Sequence, residues 1–194
     1  MAQSQRQLQK AATKEKILQT AMSLYLGNGI ATTTDAVARE AGLSHGTIFV
    51  HFPTREDLFL QVLTRFAQEM GDKLHALSAL DRDLAELLTA HLEVLEEYEG
   101  FYTELIAEMA TLPVDARNIV ISLQSIVSRH FNTAIERGQQ EGSIKTIPLH
   151  MLFNTWLGVV HYYLLNAALF APEGAVLKRY KNDLVNNFLL LISE

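Results

Sequence analysis

Between Gly42 and Pro53 the chain has room for about two turns of helix and no more. Proline has no amide hydrogen and pushes the residue before it out of the helical region, so a helix entering this stretch stops at Phe52. Gly42 follows an apolar set, Val37, Ala38 and Ala41, at the point where a left-handed residue closes a helix. Thr32 or Thr33 caps the front of that helix, and Ser44 caps the next one once Leu43 has packed back. Ile48 and Phe52, four apart, share an inner face, which leaves His45, Thr47 and His51 pointing elsewhere. The spacing predicts helix, tight turn, short helix: a helix-turn-helix with Ser44 to Phe52 as its recognition helix.

The order of residues adds to this reading. Thr32-Thr33, the pair Val37-Ala38, Ala41-Gly42-Leu43-Ser44, Gly46-Thr47-Ile48-Phe49 and His51-Phe52-Pro53-Thr54-Arg55-Glu56-Asp57-Leu58 together resemble the DNA-binding domain of the tetracycline-repressor (TetR) family. The resemblance covers about residues 10 to 65, and the rest matches only in length and helical character. It implies an all-α protein with an amino-terminal helix-turn-helix domain, residues 1–57, joined by a long helix to a larger effector-binding and dimerisation domain, residues 58–194. It also implies a sequence-specific transcriptional regulator, a repressor released from a palindromic operator in double-stranded DNA by a small molecule.

Under that resemblance the DNA-binding residues are Thr32, Thr33, Ser44, His45, Gly46, Thr47, His51 and Arg55. Those at helix ends, Thr32, Thr33, His51 and Arg55, suit phosphate, where a hydroxyl, ring nitrogen or guanidinium fixes register without reading sequence. His45, Gly46 and Thr47 suit base edges: imidazole to a guanine acceptor, glycine for close approach, a threonine methyl to thymine. The chain departs from the family at Phe49, where a tyrosine commonly binds phosphate, and at Val50, often larger or polar. Phe49 is either core or a DNA contact.

A net charge of -6 runs against DNA binding until it is divided along the chain. Residues 1–55 carry +3 and residues 56–194 carry -9, so a cationic end sits on an acidic body that discourages nonspecific coating of DNA. At 194 residues and 48% hydrophobic, the chain can bury a sizeable core. The absence of cysteine rules out disulfide and thiolate chemistry, and the start lacks an apolar signal segment, so a cytoplasmic protein is expected.

In chain order, residues 1–10 are polar and Gln-rich and predict a flexible arm; Ala11 to Leu26 predicts a bracing helix ended by Gly27-Asn28-Gly29. Thr54 and Asp57 form a capping pattern for a long helix to about Leu77, the shorter Asp giving a weaker reciprocal bond than Glu. Further helices are expected at Leu84 to Tyr98, Phe101 to Ala110 and Asp115 to Gln140, with Gly138 and Gly142 loosening the end of the last. The 27 residues from Thr146 to Pro172 carry no formal charge and are long enough to span a bilayer. His150, Asn154 and His161 put a polar stripe on that helix and argue against a membrane. A last helix, Ala175 to Ile192, carries Leu184 and Phe188. Together these two apolar helices predict a self-association face and a homodimer.

No catalytic motif is present: no HExxH, GxSxG, Walker loop or GxGxxG, and no compact His cluster for a metal. No enzyme activity, metal or cofactor is expected. Tyr98, Phe101, Tyr102, Trp156, His161 and Tyr162 are the candidate effector-binding side chains, and nine acids between Asp83 and Ala116, with no Lys or Arg among them, favour a cationic group on the ligand. The alternative is a structural, nucleoid-type DNA binder without an effector, which would be solidly packed where a regulator has a cavity.

Overall fold

A computed structural model of the chain describes residues 2–78 and 83–194. It is all-α: among the described residues there are ten helices and no strand, only an isolated antiparallel bridge between Ile144 and Ser193. Residues up to Phe66 form one compact unit and those from Ala67 a second.

In the first unit, α1 (Ala2–Asn28) buries Ile17, Ala21, Met22 and Tyr25. It begins well before the expected start at Ala11, so residues 2–10 are helical rather than an irregular arm. Gln, Arg, Lys, Leu and Ala are good helix formers, and no glycine or proline interrupts them before Gly27. Gly29, at φ 80°, then turns the chain, its amide donating to Tyr25 O at 2.9 Å. α2 (Thr34–Ala41) is capped by Thr33, whose hydroxyl accepts from Ala36 N, and is closed by Gly42 at φ 64°. α3 (His45–His51) is capped by Ser44 and closes at Phe52, immediately before Pro53. Val37, Ala38, Ala41, Ile48 and Phe52 are all buried, which is the inner face read from the sequence.

The long helix α4 (Arg55–Ser78) starts in this unit. Its cap is fully reciprocal: Thr54 N donates to Asp57 Oδ2 at 2.9 Å and Asp57 N to Thr54 Oγ1 at 3.0 Å. Leu58, Phe59, Val62, Leu63 and Phe66 are buried, with the Phe59 ring 5.5 Å from that of Tyr25.

The second unit contains the end of α4 with α5 (Leu84–Glu96), α6 (Glu99–Ala107), α7 (Val114–Gln140), α8 (Leu149–Leu165), the single turn α9 (Ala167–Phe170) and α10 (Val176–Ile192). Phe131, Phe153, Trp156 and Phe188 make an aromatic centre, with ring centroids 5.2–5.9 Å apart along the chain of contacts. Among the described residues no helix is long and apolar enough to cross a membrane. Asn166 ends α8, and the polar stripe of the sequence reading faces outward at His150 and Asn154.

Two expectations are corrected here. Leu184 and Phe188 belong to the interior of the protomer, Phe188 against Phe131 and Trp156, so they are not part of an association face. Gly138 and Gly142 close α7 rather than loosen it. Gly142 takes φ 73°, the amides of Ser143 and Ile144 both return to Gly138 O, and the missing side chain of Gly138 makes room for Ile144.

Glu99, in the first turn of α6, caps another helix. Its two carboxylate oxygens accept from Val176 N at 2.7 Å and Leu177 N at 2.9 Å at the start of α10, where Ala175 offers no side-chain cap. Charge-assisted bonds to a helix amino terminus are among the stronger local ones. Glu99→Ala is therefore expected to lower the urea unfolding free energy by about 2 kcal/mol, and Glu99→Asp, too short to bridge, by a comparable amount.

Candidate nucleic-acid interface and a buried cavity

The short helix α3 offers its outer face as a set of prepared groups. Ser44 Oγ accepts from Thr47 N at 3.2 Å and lies 2.8 Å from Thr47 Oγ1, so the Thr47 hydroxyl is held in place. His45 Nε2 lies 3.0 Å from Thr34 Oγ1 and 3.3 Å from Asp35 Oδ1, which ties the first residue of α3 to the first turn of α2. The rings of His45 and Phe49 meet edge to face with centroids 4.8 Å apart. Phe49 is 38% exposed and Val50 70% exposed, so neither is core. A Cβ on Gly46 would meet nothing closer than Ser44 Oγ at 3.9 Å; nothing in the protomer requires glycine there.

The remaining predicted residues divide by where their polar atoms go. Thr33 and Ser44 serve as helix caps with exposed hydroxyls. Thr32 is buried, its hydroxyl donating to Gly29 O at 2.8 Å with Leu24 O at 3.3 Å. Arg55 is exposed but donates to Ile30 O at 2.6 Å and to Thr32 O at 3.2 Å. His51 lies near Lys10 and Lys14; partial burial and these two ammonium charges push its pKa down. Lys14 also sits over the Phe52 ring at 5.6 Å. Thr34 was not picked out from the sequence, and Lys10, Lys14 and Val50 were not among the residues assigned to DNA there. The available signal was helical phase: Val50 falls two residues after buried Ile48, off the inner face.

In the second unit a cavity of about 30 Å³ is lined by Leu74 of α4, Leu87, Leu88, Ala90 and His91 of α5, Val127, His130 and Phe131 of α7, and Trp156 of α8. Of the six predicted ligand residues the fold brings only Trp156 to it. Tyr102 and His161 face each other instead, the phenol oxygen 3.0 Å from His161 Nε2, with Gln124 Nε2 at 3.5 Å. Burial pushes Tyr102 up to about 12 and His161 down to about 4. Tyr98 accepts from Lys73 Nζ at 3.2 Å, Phe101 is buried, and Tyr162 is 56% exposed.

None of the nine acids between Asp83 and Ala116 lines this cavity. Asp83 and Glu86 form a reciprocal capping box on α5, Glu93 and Glu96 reach Lys181, Glu97 pairs with Lys73, and Glu99 caps α10. Six of the nine acids are thus caps or ion-pair partners of the helices around them.

A capped, outward-facing helix of two turns, set by a glycine turn against a bracing helix, is the interface of a helix-turn-helix DNA-binding protein. The sequence falls in the same place. The family model for bacterial regulatory proteins of the tetR family matches residues 17–62, and that for the tetracyclin repressor-like C-terminal domain matches residues 77–164. The chain belongs to the TetR family of transcriptional regulators, which are often ligand-responsive repressors.

It is 25% identical over 188 residues to the HTH-type transcriptional regulator AcrR of Shigella flexneri, covering 89% of this chain and 86% of that one. The regulator QacR of Staphylococcus aureus is 43% identical over 51 residues, 26% of this chain and 27% of its own. Among solved structures, a transcriptional regulator of Saccharomonospora viridis in complex with choline superimposes with a TM-score of 0.80 at 22% identity, over 95% of this chain and 99% of the other.

His91 is buried, and Trp156 Nε1 donates to its Nδ1 at 3.1 Å. Burial, with a smaller contribution from His161, pushes its pKa down from 6.5 to about 4. Unfolded histidine gains a proton near 6.5 while folded His91 does not until about 4, so stability is lost as pH falls through that window. From this residue alone the loss at pH 5 is about 2 kcal/mol relative to pH 7.5, and His161 adds in the same direction. Urea unfolding at the two pH values checks it, and His91→Gln is expected to flatten the dependence.

Proposed function

We propose that this protein is a cytoplasmic, homodimeric repressor that reads a near-palindromic operator with α3 and is released from it by a small molecule held in the second unit; it has no enzymatic role. The observation that supports the DNA-reading part is the outer face of α3, where Thr34 and Asp35 orient His45, Ser44 orients Thr47, and Gly46 between them lies open. Thr33, Thr34, Ser44 and His51 flank that face and contact phosphate, with Lys10 and Lys14 adding charge behind His51. Thr32 and Arg55 act from behind, holding the α1–α2 turn on which α2 rests. Phe49 and Val50 give an apolar edge suited to a thymine methyl or deoxyribose.

DNA affinity is expected to fall steeply with salt as the cationic end displaces counterions. Thr47→Ala should change preference at one base pair per half-site by roughly 1–3 kcal/mol, whereas Lys14→Ala should weaken all sequences alike. Fluorescence anisotropy on a panel of variants of the DNA upstream of the protein's own gene tests this. Equal losses across the panel for Thr47→Ala would remove it from the base-reading set.

The dimer reading rests on what α8 and α10 leave exposed: Met151, Val159, Tyr162 and Leu165 on one, Leu190 and Leu191 on the other. A two-fold dimer carries two α3 helices, one for each half-site of a near-palindrome. Leu165→Glu is expected to give monomers by sedimentation with the thermal midpoint of the protomer retained, since the position is exposed. A monomeric unmutated chain at micromolar concentration would contradict it.

The effector reading rests on the cavity, which at about 30 Å³ must widen to admit a metabolite. Leu74 on α4 forms part of its wall, so occupancy favours a state in which α4 has shifted and the recognition helices no longer fit the operator.

A further inference from the structure

The polar groups on the cavity wall carry a statement about ligand chemistry, and it rests on the effector reading above. Leu74, Leu87, Leu88 and Val127 make the wall largely apolar, and among the described residues the only ionisable side chains on it are His91 and His130. Because Trp156 Nε1 donates to His91 Nδ1, the neutral imidazole carries its proton on Nε2. His130 Nε2 is buried without a hydrogen-bond partner. Such a nitrogen costs free energy until something pairs with it.

We propose that the cavity takes an uncharged, largely apolar molecule bearing a hydroxyl, a phenol being the simplest, whose oxygen accepts from His91 Nε2 and whose hydroxyl pairs with Nε2 of His130. A hydroxyl is donor and acceptor at once, so one atom serves both imidazoles. Among the described residues a cationic head finds no carboxylate on this wall, and an anionic head finds no Lys or Arg. Nor do the imidazoles supply positive charge readily. Burial holds both down, aided at His130 by Arg129 and His75 and at His91 by His161. The rings of Trp156 and Phe131 give the aromatic part of the ligand its faces.

Three probes of one ring and different charge test this: phenol, benzoate and benzylammonium, each titrated at pH 7.5 into the full-length protein with thermal midpoint and equilibrium dialysis as readouts. Phenol is expected to raise the midpoint by several degrees at concentrations where the other two leave it unchanged. His130→Leu should bind phenol at least tenfold more weakly, and His130→Gln, which keeps hydrogen-bonding capacity, should recover most of the loss. Stronger binding of benzoate or benzylammonium, an unaltered phenol affinity in His130→Leu, or no response to any probe would overturn the inference. If any of these occurs while the same preparation still selects specific DNA, the ligand chemistry is wrong and the DNA-binding reading stands.

Discussion

The first unit depends on satisfying the carbonyls of the turn between α1 and α2. A turn that reverses the chain between two packed helices leaves backbone oxygens with no helical partner, and such groups are costly when sheltered from water. Here Leu24 O and Gly29 O accept from the buried Thr32 hydroxyl, and Ile30 O and Thr32 O accept from the guanidinium of Arg55. Arg55 is the first residue of α4, so one side chain fixes the start of the long helix to the turn that launches α2. With that turn fixed, Gly42 and Ser44 set the angle at which α3 leaves α2. The short helix then leaves Phe49 and Val50 exposed, with His45 and Thr47 oriented by their neighbours.

The second unit shows the complementary economy. Asp83, Glu86, Glu93, Glu96, Glu97 and Glu99 are caps and ion-pair partners, and buried polar groups face each other in pairs, Trp156 with His91 and Tyr102 with His161. Among the described residues two buried atoms are left without a partner, Asn132 Oδ1 and the Nε2 of His130, and His130 lines the cavity. On the proposed reading, the His130 nitrogen is the one a ligand hydroxyl pairs with.

Much of this was legible in the sequence because it is local. Gly42, Ser44, Pro53 and the Thr54–Asp57 cap act within a few residues, and each took the place its chemistry demanded. The helix phases were legible for the same reason. What the sequence concealed depends on distant neighbours. Nothing near Thr32 says that its hydroxyl turns inward, because the carbonyls it meets lie three and eight residues back. Glu99 reads as surface charge until α10, 77 residues later, brings its amides to it. Likewise Leu184 and Phe188 look like an association face in a list of apolar positions, and only the packing of α10 on Phe131 and Trp156 makes them interior. The start of α1 was missed for a different reason: polar composition suggested an arm, although its residues favour helix.

The account stands on sequence-specific reading of DNA by α3, and selection from a pool of random duplexes by the purified protein measures that directly. Repeated rounds should converge on one near-palindrome whose half-site centres lie about 34 Å apart along the duplex, or a whole multiple of that. A pool that never converges, with affinity rising only with duplex length, would contradict the account and describe a structural DNA binder instead.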